Sequence, residues 1–129
     1  MNRFFFLFFM ATAFLSCKNS EQEHKSNAIF STKNDSVNIG AIHQNDTAYL
    51  SFTVYNPGSD TLKILNIGTE CGCTVAEVSK KNIIPGDSAL LSVTYSSTSD
   101  IGIIVKTIVV ECNTTDPYHL LYLTADVKK

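Results

Sequence analysis

Apolar and polar side chains alternate along residues 47–56, where the pattern is clearest. A period of two is typical of a half-buried antiparallel strand, because successive side chains of a strand point to opposite faces of the sheet. A turn with proline and glycine at residues 56–60 ends this strand. Its apolar face consists of Ala48, Leu50, Phe52 and Val54.

The same alternation recurs through the rest of the chain, and turn residues separate the apolar stretches about every eight to twelve positions. No stretch keeps a helical period over three turns. The pattern therefore predicts an all-β fold, an immunoglobulin-like antiparallel β-sandwich of about seven strands. Further strands are predicted at residues 62–67, 73–79, 89–95, 104–112 and 121–127.

Two of these stretches depart from plain alternation. The apolar face of residues 62–67 switches near Leu65, which predicts a bulge or burial on both sides. In the stretch 104–112, Lys106 stands among apolar positions of one face. It predicts either an edge strand or a side chain whose charged end reaches the solvent.

The N-terminal residues predict export. Asn2 and Arg3 form a short positive segment, and residues 4–14 form an apolar run, as in a secretory signal peptide. The run is too short for a membrane helix, which needs about twenty apolar residues. It ends in Phe-Leu-Ser-Cys at Cys17, which resembles a bacterial lipobox with the looseness of lipoproteins from the Bacteroidetes. We therefore expect removal of residues 1–16 as a lipoprotein signal peptide and lipidation of Cys17, which anchors an exported protein to the membrane.

Composition and charge after cleavage predict one small domain without affinity for nucleic acid. Residues 18–27 contain no apolar side chain, so residues 17–27 are expected to form a disordered tether and residues 28–129 the domain. Removing 16 of the 129 residues leaves 113, an ordinary single-domain size. Without Arg3, nine lysines face twelve Asp and Glu residues, a net charge of −3. No basic stripe is present to bind phosphates.

Several short segments resemble one protein family. They include Glu70-Cys71-Gly72-Cys73-Thr74, Pro85-Gly86-Asp87 and residues 102–110. Together they make residues 28–127 similar to the bacterial DUF1573 domains, whose fold is like the immunoglobulin-like domains of major sperm protein and hydin-type proteins. The chain departs from the usual family pattern at residues 38–40 and at Cys112. The resemblance implies a fold and an extracytoplasmic location, and it implies no defined biochemical role.

Three cysteines remain once Cys17 is lipidated: Cys71, Cys73 and Cys112. On a straight strand Cys71 and Cys73 would lie about 6.5 to 7 Å apart on one face, so a disulfide between them requires a turn at Gly72. One interpretation is a reactive disulfide that acts as a redox switch. A second is a copper or zinc site formed by the three thiolates, with His43 as a further ligand. The third is a structural pair or buried thiols, with the pairing left open.

The remaining polar residues give no catalytic pattern. His24, His43 and His119 are scattered, each expected at the surface, and the aspartates occupy turns. No nucleophile elbow or phosphate-binding loop is present, so we expect no catalytic residues, no cofactor and no enzyme activity. Four turn-to-strand junctions match an Asp-Ser/Thr-apolar O-glycosylation signal of exported Bacteroidetes proteins, although β-hairpins favour the same residues. The four hydroxyls belong to Ser36, Thr47, Thr61 and Ser88.

Four tyrosines are expected on the outer faces of the sheets, where they either form an interaction surface or only cover the sheets. The leading hypothesis is an outer-membrane lipoprotein, at the periplasmic face or the cell surface, whose immunoglobulin-like module binds or scaffolds a protein or glycan partner. Binding would use loops or strand addition at a sheet edge. The alternative is an envelope protein that handles thiol redox chemistry, copper or zinc. The tyrosines are Tyr49, Tyr55, Tyr118 and Tyr122.

Overall fold

The computed structural model describes residues 26–129. The predicted signal peptide, Cys17, His24 and most of the predicted tether lie outside these residues. The described part contains no helix that is long and apolar enough to cross a membrane. Its strands are β1 (Ser31–Thr32), β2 (Ser36–His43), β3 (Thr47–Tyr55), β4 (Leu62–Thr69), β5 (Thr74–Val78), β6 (Asn82–Ile83), β7 (Ser88–Ser96), β8 (Gly102–Cys112) and β9 (Tyr118–Lys128).

The strands form two sheets, with orders β1-β3-β7-β5 and β2-β9-β8-β4-β6. These orders contain the A-B-E-D and C-F-G arrangements of an immunoglobulin-like sandwich. The predicted all-β sandwich is confirmed, and seven strands have five residues or more. Strand β2 pairs with β9 in parallel, whereas the other pairs are antiparallel. The two-residue strands β1 and β6 are too short to show a period in the sequence.

The core lies between the sheets and consists of the inward positions of the long strands. In β7 the alternate residues Ala89, Leu91, Val93 and Tyr95 are buried, as the period of two predicts. The same holds for β9, where alternate positions from Leu121 to Val127 are buried. Burial of these apolar side chains is the main force that holds the two sheets together.

Strand pairing explains both irregular stretches. The pairing of β4 with β8 shifts register between Ile64 and Asn66, which confirms the predicted bulge and leaves Leu65 exposed. Lys106 lies in a part of β8 that, within the described chain, pairs on one side only, with β9, because the pairing of β8 with β4 ends at Ile108. Its side chain is only 15% exposed and forms an ion pair with Asp100 at 2.9 Å. The pairing at Lys106 therefore agrees with the edge interpretation, although the other part of β8 lies between β9 and β4.

The sandwich has two ends that differ in content. The Ser26 end carries the start of the described chain and the connections at residues 56–61, 84–87 and 113–117. The Cys71 end carries the connections at residues 44–46, 70–73 and 97–101. The nine residues of β3 run from one end to the other, so the two ends lie on the order of 30 Å apart.

The described chain is attached to the domain before Ala28. The backbone N–H of Asn27 donates to Asp60 Oδ2 at 2.8 Å, and the carbonyl of Asn27 accepts from the N–H of Ser59 at 3.2 Å. Gly58 permits this contact, since a Cβ at that position would lie 2.2 Å from the carbonyl oxygen of Asn27. The polar composition of residues 18–27 placed Asn27 in the predicted tether. Composition does not reveal backbone hydrogen bonds such as these.

Candidate functional site

The Cys71-Gly72-Cys73 segment forms a turn between β4 and β5 at the Cys71 end. Because β4 and β5 belong to different sheets, this turn connects the two sheets. Cys71 and Cys73 are joined by a disulfide, with their Cα atoms 5.2 Å apart. The turn brings the Cα atoms within the range that a disulfide requires. Both cysteines are half-buried, so the bridge lies at the surface of the domain rather than in its core.

The cysteine turn is held by hydrogen bonds as well as by the disulfide. Thr69 Oγ1 is 2.9 Å from the carbonyl oxygen of Thr74 and 3.3 Å from that of Cys71. The N–H of Thr74 donates to the carbonyl of Cys71 at 3.3 Å. The N–H of Ser96 on β7 donates to the carbonyl of Cys73 at 2.8 Å. These contacts fix the backbone on both sides of the bridge.

Thr74 places its hydroxyl beside both sulfur atoms. Its Oγ1 lies 3.9 Å from Cys71 Sγ and 3.8 Å from Cys73 Sγ, and the residue is only 2% exposed. A disulfide sulfur is a weak hydrogen-bond acceptor, whereas a thiolate is a strong one. The sequence pointed to Thr74 only as part of the family segment at residues 70–74 and gave it no role, although its position directly after Cys-Gly-Cys is the signal that could have found one.

Cys112 is separated from this pair. It is 1% exposed and lies at the Ser26 end of β8, paired with Ile64. Burial, with a smaller contribution from Glu111, raises the pKa of the Cys112 thiol to about 12. The β8 partner of Thr69 is Ile108, and Cys112 lies four residues further along the strand, on the order of 13 Å away.

The structure therefore does not assemble the three-cysteine metal set. Cys71 and Cys73 use their sulfurs in the disulfide, and Cys112 lies in the core toward the other end. His43 is at the Cys71 end, where its ring faces Asp46 at 3.9 Å. Within residues 26–129, no three His, Cys, Asp or Glu side chains are grouped so as to hold a metal ion.

The four tyrosines lie on two opposite faces of the sandwich. Tyr49 and Tyr55 project from β3 in the first sheet, and Tyr49 is 79% exposed. Tyr118 and Tyr122 project from β9 in the second sheet, where Tyr118 is exposed and Tyr122 half-buried. Because the sheets face away from each other, one partner surface cannot contact all four tyrosines.

His119 is half-buried rather than on the surface as expected. Its ring stacks on Phe30, with centroids 4.2 Å apart, and its Nε2 lies 2.9 Å from Thr114 Oγ1. Burial lowers the pKa of His119, and the nearby Asp116 partly opposes that effect. The Thr114 hydroxyl also donates to the carbonyl of Asp116 in the same turn. The contact between Thr114 and His119 therefore helps to hold the turn at residues 113–117.

The four Asp-Ser/Thr junctions lie at the starts of β2, β3, β4 and β7, in connections between the two sheets rather than in β-hairpins. The side chains of Asp46 and Asp87 accept backbone N–H groups of their own turns, from His43 at 3.0 Å and Ser88 at 2.7 Å. Ser36 and Thr47 are exposed, whereas Thr61 and Ser88 are half-buried.

A cleft not predicted from the sequence opens between the edges of the two sheets, directly below the cysteine turn. Among residues 26–129, strand β5 pairs only with β7, and β6 pairs only with Leu62 and Lys63 of β4. Within this described part, the edges of β5 and of residues 65–69 of β4 therefore have no partner strand. The cleft has a volume of about 390 Å³. We call it the β4–β5 cleft; its lining includes Ile64, Leu65, Asn66, Ile67, Ala76, Glu77, Val78 and Lys81.

The fold places the chain in the class of immunoglobulin-like, PapD-like β-sandwiches. A solved protein of unknown function from Porphyromonas gingivalis W83 has a TM-score of 0.71 and 18% identity, over 79% of this chain and 48% of that one. This chain thus spans about half the length of that protein. The ASH/PapD-like domain 7 of human CEP192 has a TM-score of 0.61 and 11% identity, over 78% of this chain and 85% of that one.

A third similar structure is the VesB protease of Vibrio cholerae, with a TM-score of 0.59 and 11% identity, over 82% of this chain and 33% of that one. At these identities the likeness concerns the fold alone. No curated protein matches the chain. The family model described as a protein of unknown function, DUF1573, matches residues 29–127, and the chain belongs to that family.

Proposed function

We propose that this protein is a non-catalytic, lipid-anchored module of the bacterial cell envelope, and that it binds an extended segment of a protein partner by strand addition in the β4–β5 cleft. The observation that carries this proposal is the pair of unpartnered strand edges around a cleft with both apolar and polar lining. The family is described as one of unknown function. The support for this binding mode therefore comes from the geometry of the cleft.

The free edge of β5 has main-chain groups available for a partner. The N–H groups of Ser96 and Ser79 bond to the carbonyls of Cys73 and Leu90 across the β5–β7 pair. Because bonded and free groups alternate along an antiparallel strand, Ala76 and Val78 point their N–H and C=O groups away from β7. These groups can bond an added strand, which is how strand addition supplies affinity.

The floor of the cleft supports binding of apolar side chains. Ile67, Ala76 and Val78 are only partly buried and pack against the core, so an added strand would extend that core. Glu77 and Lys81 line the same cleft and offer one charge of each sign. An added strand would meet apolar side chains at alternate positions, which gives specificity for an alternating apolar segment. A protein supplies such a backbone, and for that reason we propose a protein rather than a glycan partner.

The position of Ser26 supports an orientation of the domain relative to the membrane. The described chain begins at Ser26, which accepts a hydrogen bond from Asn113 Nδ2 at 3.4 Å at the Ser26 end. A lipid on Cys17 would hold that end toward the membrane, so the Cys71 end would point away from it. The change Cys17→Ser tests the anchor: we expect the protein to move from the membrane fraction to the soluble fraction of the envelope.

Site-specific photo-crosslinking in living cells tests the binding site. A photoreactive amino acid at Leu65 or Glu77, beside the cleft, is expected to trap one protein partner. The same amino acid at Tyr49 or Tyr118, on the outer sheet faces, is expected to trap none. Crosslinks from Tyr49 or Tyr118 in place of the cleft positions would overturn the proposed site.

A matched pair of variants separates strand addition from simple contact. Ala76→Pro removes a free N–H at the edge without removing a bond to β7, because proline is tolerated at such edge positions. Ala76→Ser keeps the N–H. The crosslink at Leu65 is expected to disappear in Ala76→Pro and to persist in Ala76→Ser, while circular dichroism shows both variants folded. Equal crosslinking in both variants would argue against strand addition.

A further inference from the structure

The disulfide between Cys71 and Cys73 has the features of a bond that exchanges rather than one that only stabilises the fold. It closes a loop with a single intervening residue, and such a short loop removes little entropy from the unfolded chain. The turn around it is independently held by the hydrogen bonds of Thr69, Thr74 and Ser96. The backbone of the turn is therefore expected to keep its shape when the bond is reduced.

The bond is also accessible. Cys71 and Cys73 are half-buried in a surface turn at the end of the sandwich, next to an open depression lined by Glu70 and Gly72. The buried Cys112, by contrast, is shielded by the core. Exchange requires a thiolate to approach a disulfide sulfur, so access distinguishes the surface pair from the buried thiol.

Thr74 supplies a hydroxyl beside the disulfide, where thiol–disulfide exchange produces a negative charge on sulfur. When a thiolate attacks one sulfur, the other sulfur leaves with a negative charge. The Thr74 hydroxyl lies 3.9 Å from Cys71 Sγ and 3.8 Å from Cys73 Sγ, so it can donate a hydrogen bond to whichever sulfur leaves. Hydrogen bonds to a charged acceptor are stronger than neutral ones and stabilise the thiolate.

We propose that Cys71–Cys73 is a thiol–disulfide exchange site that accepts two electrons from an external dithiol, with Thr74 positioned to stabilise the leaving thiolate. One thiolate of the dithiol attacks Cys71 or Cys73, the bond between the two cysteines breaks, and a mixed disulfide forms. The second thiol of the dithiol, as its thiolate, then attacks the mixed disulfide. The dithiol leaves as a disulfide, and Cys71 and Cys73 each gain a proton. This activity does not depend on the proposed binding in the β4–β5 cleft.

The test is reduction of the full chain carrying Cys17→Ser by dithiothreitol and, separately, by glutathione. Alkylation followed by peptide mapping reports Cys71 and Cys73 separately from Cys112, and circular dichroism follows the fold in the same samples. We expect the pair to be reduced while the protein stays folded and Cys112 stays unmodified. Reduction that occurs only together with unfolding would overturn the proposal, because the bond would then be structural.

Variants of Thr74 test its role separately. Thr74→Val is expected to slow reduction about tenfold, the effect of losing one hydrogen bond to a charged group, and to raise the pKa of the reduced thiols. Thr74→Ser, which keeps the hydroxyl, is expected to restore both properties. Thr69→Val is the matched control, since Thr69 supports the same turn without contacting a sulfur. Equal slowing in Thr69→Val and Thr74→Val, with no change in thiol pKa, would show that Thr74 only supports the turn.

Discussion

The two ends of the sandwich are held together by different kinds of contact. At the Ser26 end the amide of Asn56 is 1% exposed and makes four hydrogen bonds. They join Ile29, Gly58, Asp60 and Ile83 from three parts of the chain.

At the Cys71 end the hydroxyl of Ser97 is fully buried and bonds backbone groups of His43 and Asp46. That end also carries the ion pair of Lys106 with Asp100 and the disulfide, both partly open to solvent. The comparison indicates that a buried, hydrogen-bonded side chain gives each end rigidity, with more bonds at Asn56, and that the Cys71 end in addition keeps a reactive disulfide at the surface.

The largest effect is expected from Asn56→Ala. The change removes the acceptor for two N–H groups and the donor for two carbonyls in a buried site. We expect the free energy of unfolding to fall by about 3 to 4 kcal/mol, measured by urea denaturation. Asn66→Ala, at an exposed asparagine of β4, is the control and should change stability little. A small loss in Asn56→Ala would contradict the assigned rigidity of the Ser26 end.

The next effect is expected from Asp100→Asn at the Cys71 end. Hydrogen bonds from Lys106 and then from Tyr95 lower the pKa of Asp100. Its stabilising contribution is therefore complete above the ordinary carboxyl pKa and is lost as the pH falls through the lower pKa of the folded state. We expect Asp100→Asn to cost about 1 to 2 kcal/mol at neutral pH, and the difference from wild type to vanish in acid.

Urea denaturation from neutral pH down to about pH 2 measures this pH dependence. Asp126→Asn is the control, because its ion pair with Lys128 is more exposed, with side chains 39% and 57% accessible. Such surface pairs contribute little. If Asp126→Asn lowered the free energy of unfolding as much as Asp100→Asn, the partial burial of the Lys106–Asp100 ion pair would not increase its contribution to stability.

A smaller effect is expected when the disulfide is removed. The double change Cys71→Ser and Cys73→Ser should lower the free energy of unfolding by about 1.5 kcal/mol or less, because the closed loop is very short. Reduction of the wild-type protein should give the same shift in the urea midpoint. A loss comparable to that of Asn56→Ala would show that the disulfide holds the Cys71 end together, and would remove the contrast between the two ends.

The smallest effect is expected at His119, at the Ser26 end. Burial lowers its pKa in the folded state, so the unfolded chain takes up the proton first as the pH falls. Stability should therefore decrease as the pH falls below about 6.5 and level off below the folded-state pKa. His119→Phe should keep the stack on Phe30 and remove this pH dependence, whereas His43→Phe should not. Thermal unfolding between about pH 8 and pH 5 measures both variants.

The sequence alone predicted the fold class and the inward face of most long strands, but it did not predict the eight-residue strand β2. The period of two is a local property, because neighbouring side chains of any strand point to opposite faces. It located Phe52 and Val54, Leu91 and Val93, and the buried positions of β9 before any pairing was known. The bulge at Leu65 was predicted for the same reason, since a change of face within one strand is visible in that strand alone.

The pairing of strands and the position of the open edges could be read from the tertiary structure alone. The parallel pairing of β2 with β9, the central position of β8 and the β4–β5 cleft depend on contacts between residues far apart in sequence. The cysteines show the same division. Their spacing required a turn at Gly72 for any bridge, but the burial of Cys112 and the hydroxyl of Thr74 between the two sulfurs follow from the packing of the two sheets.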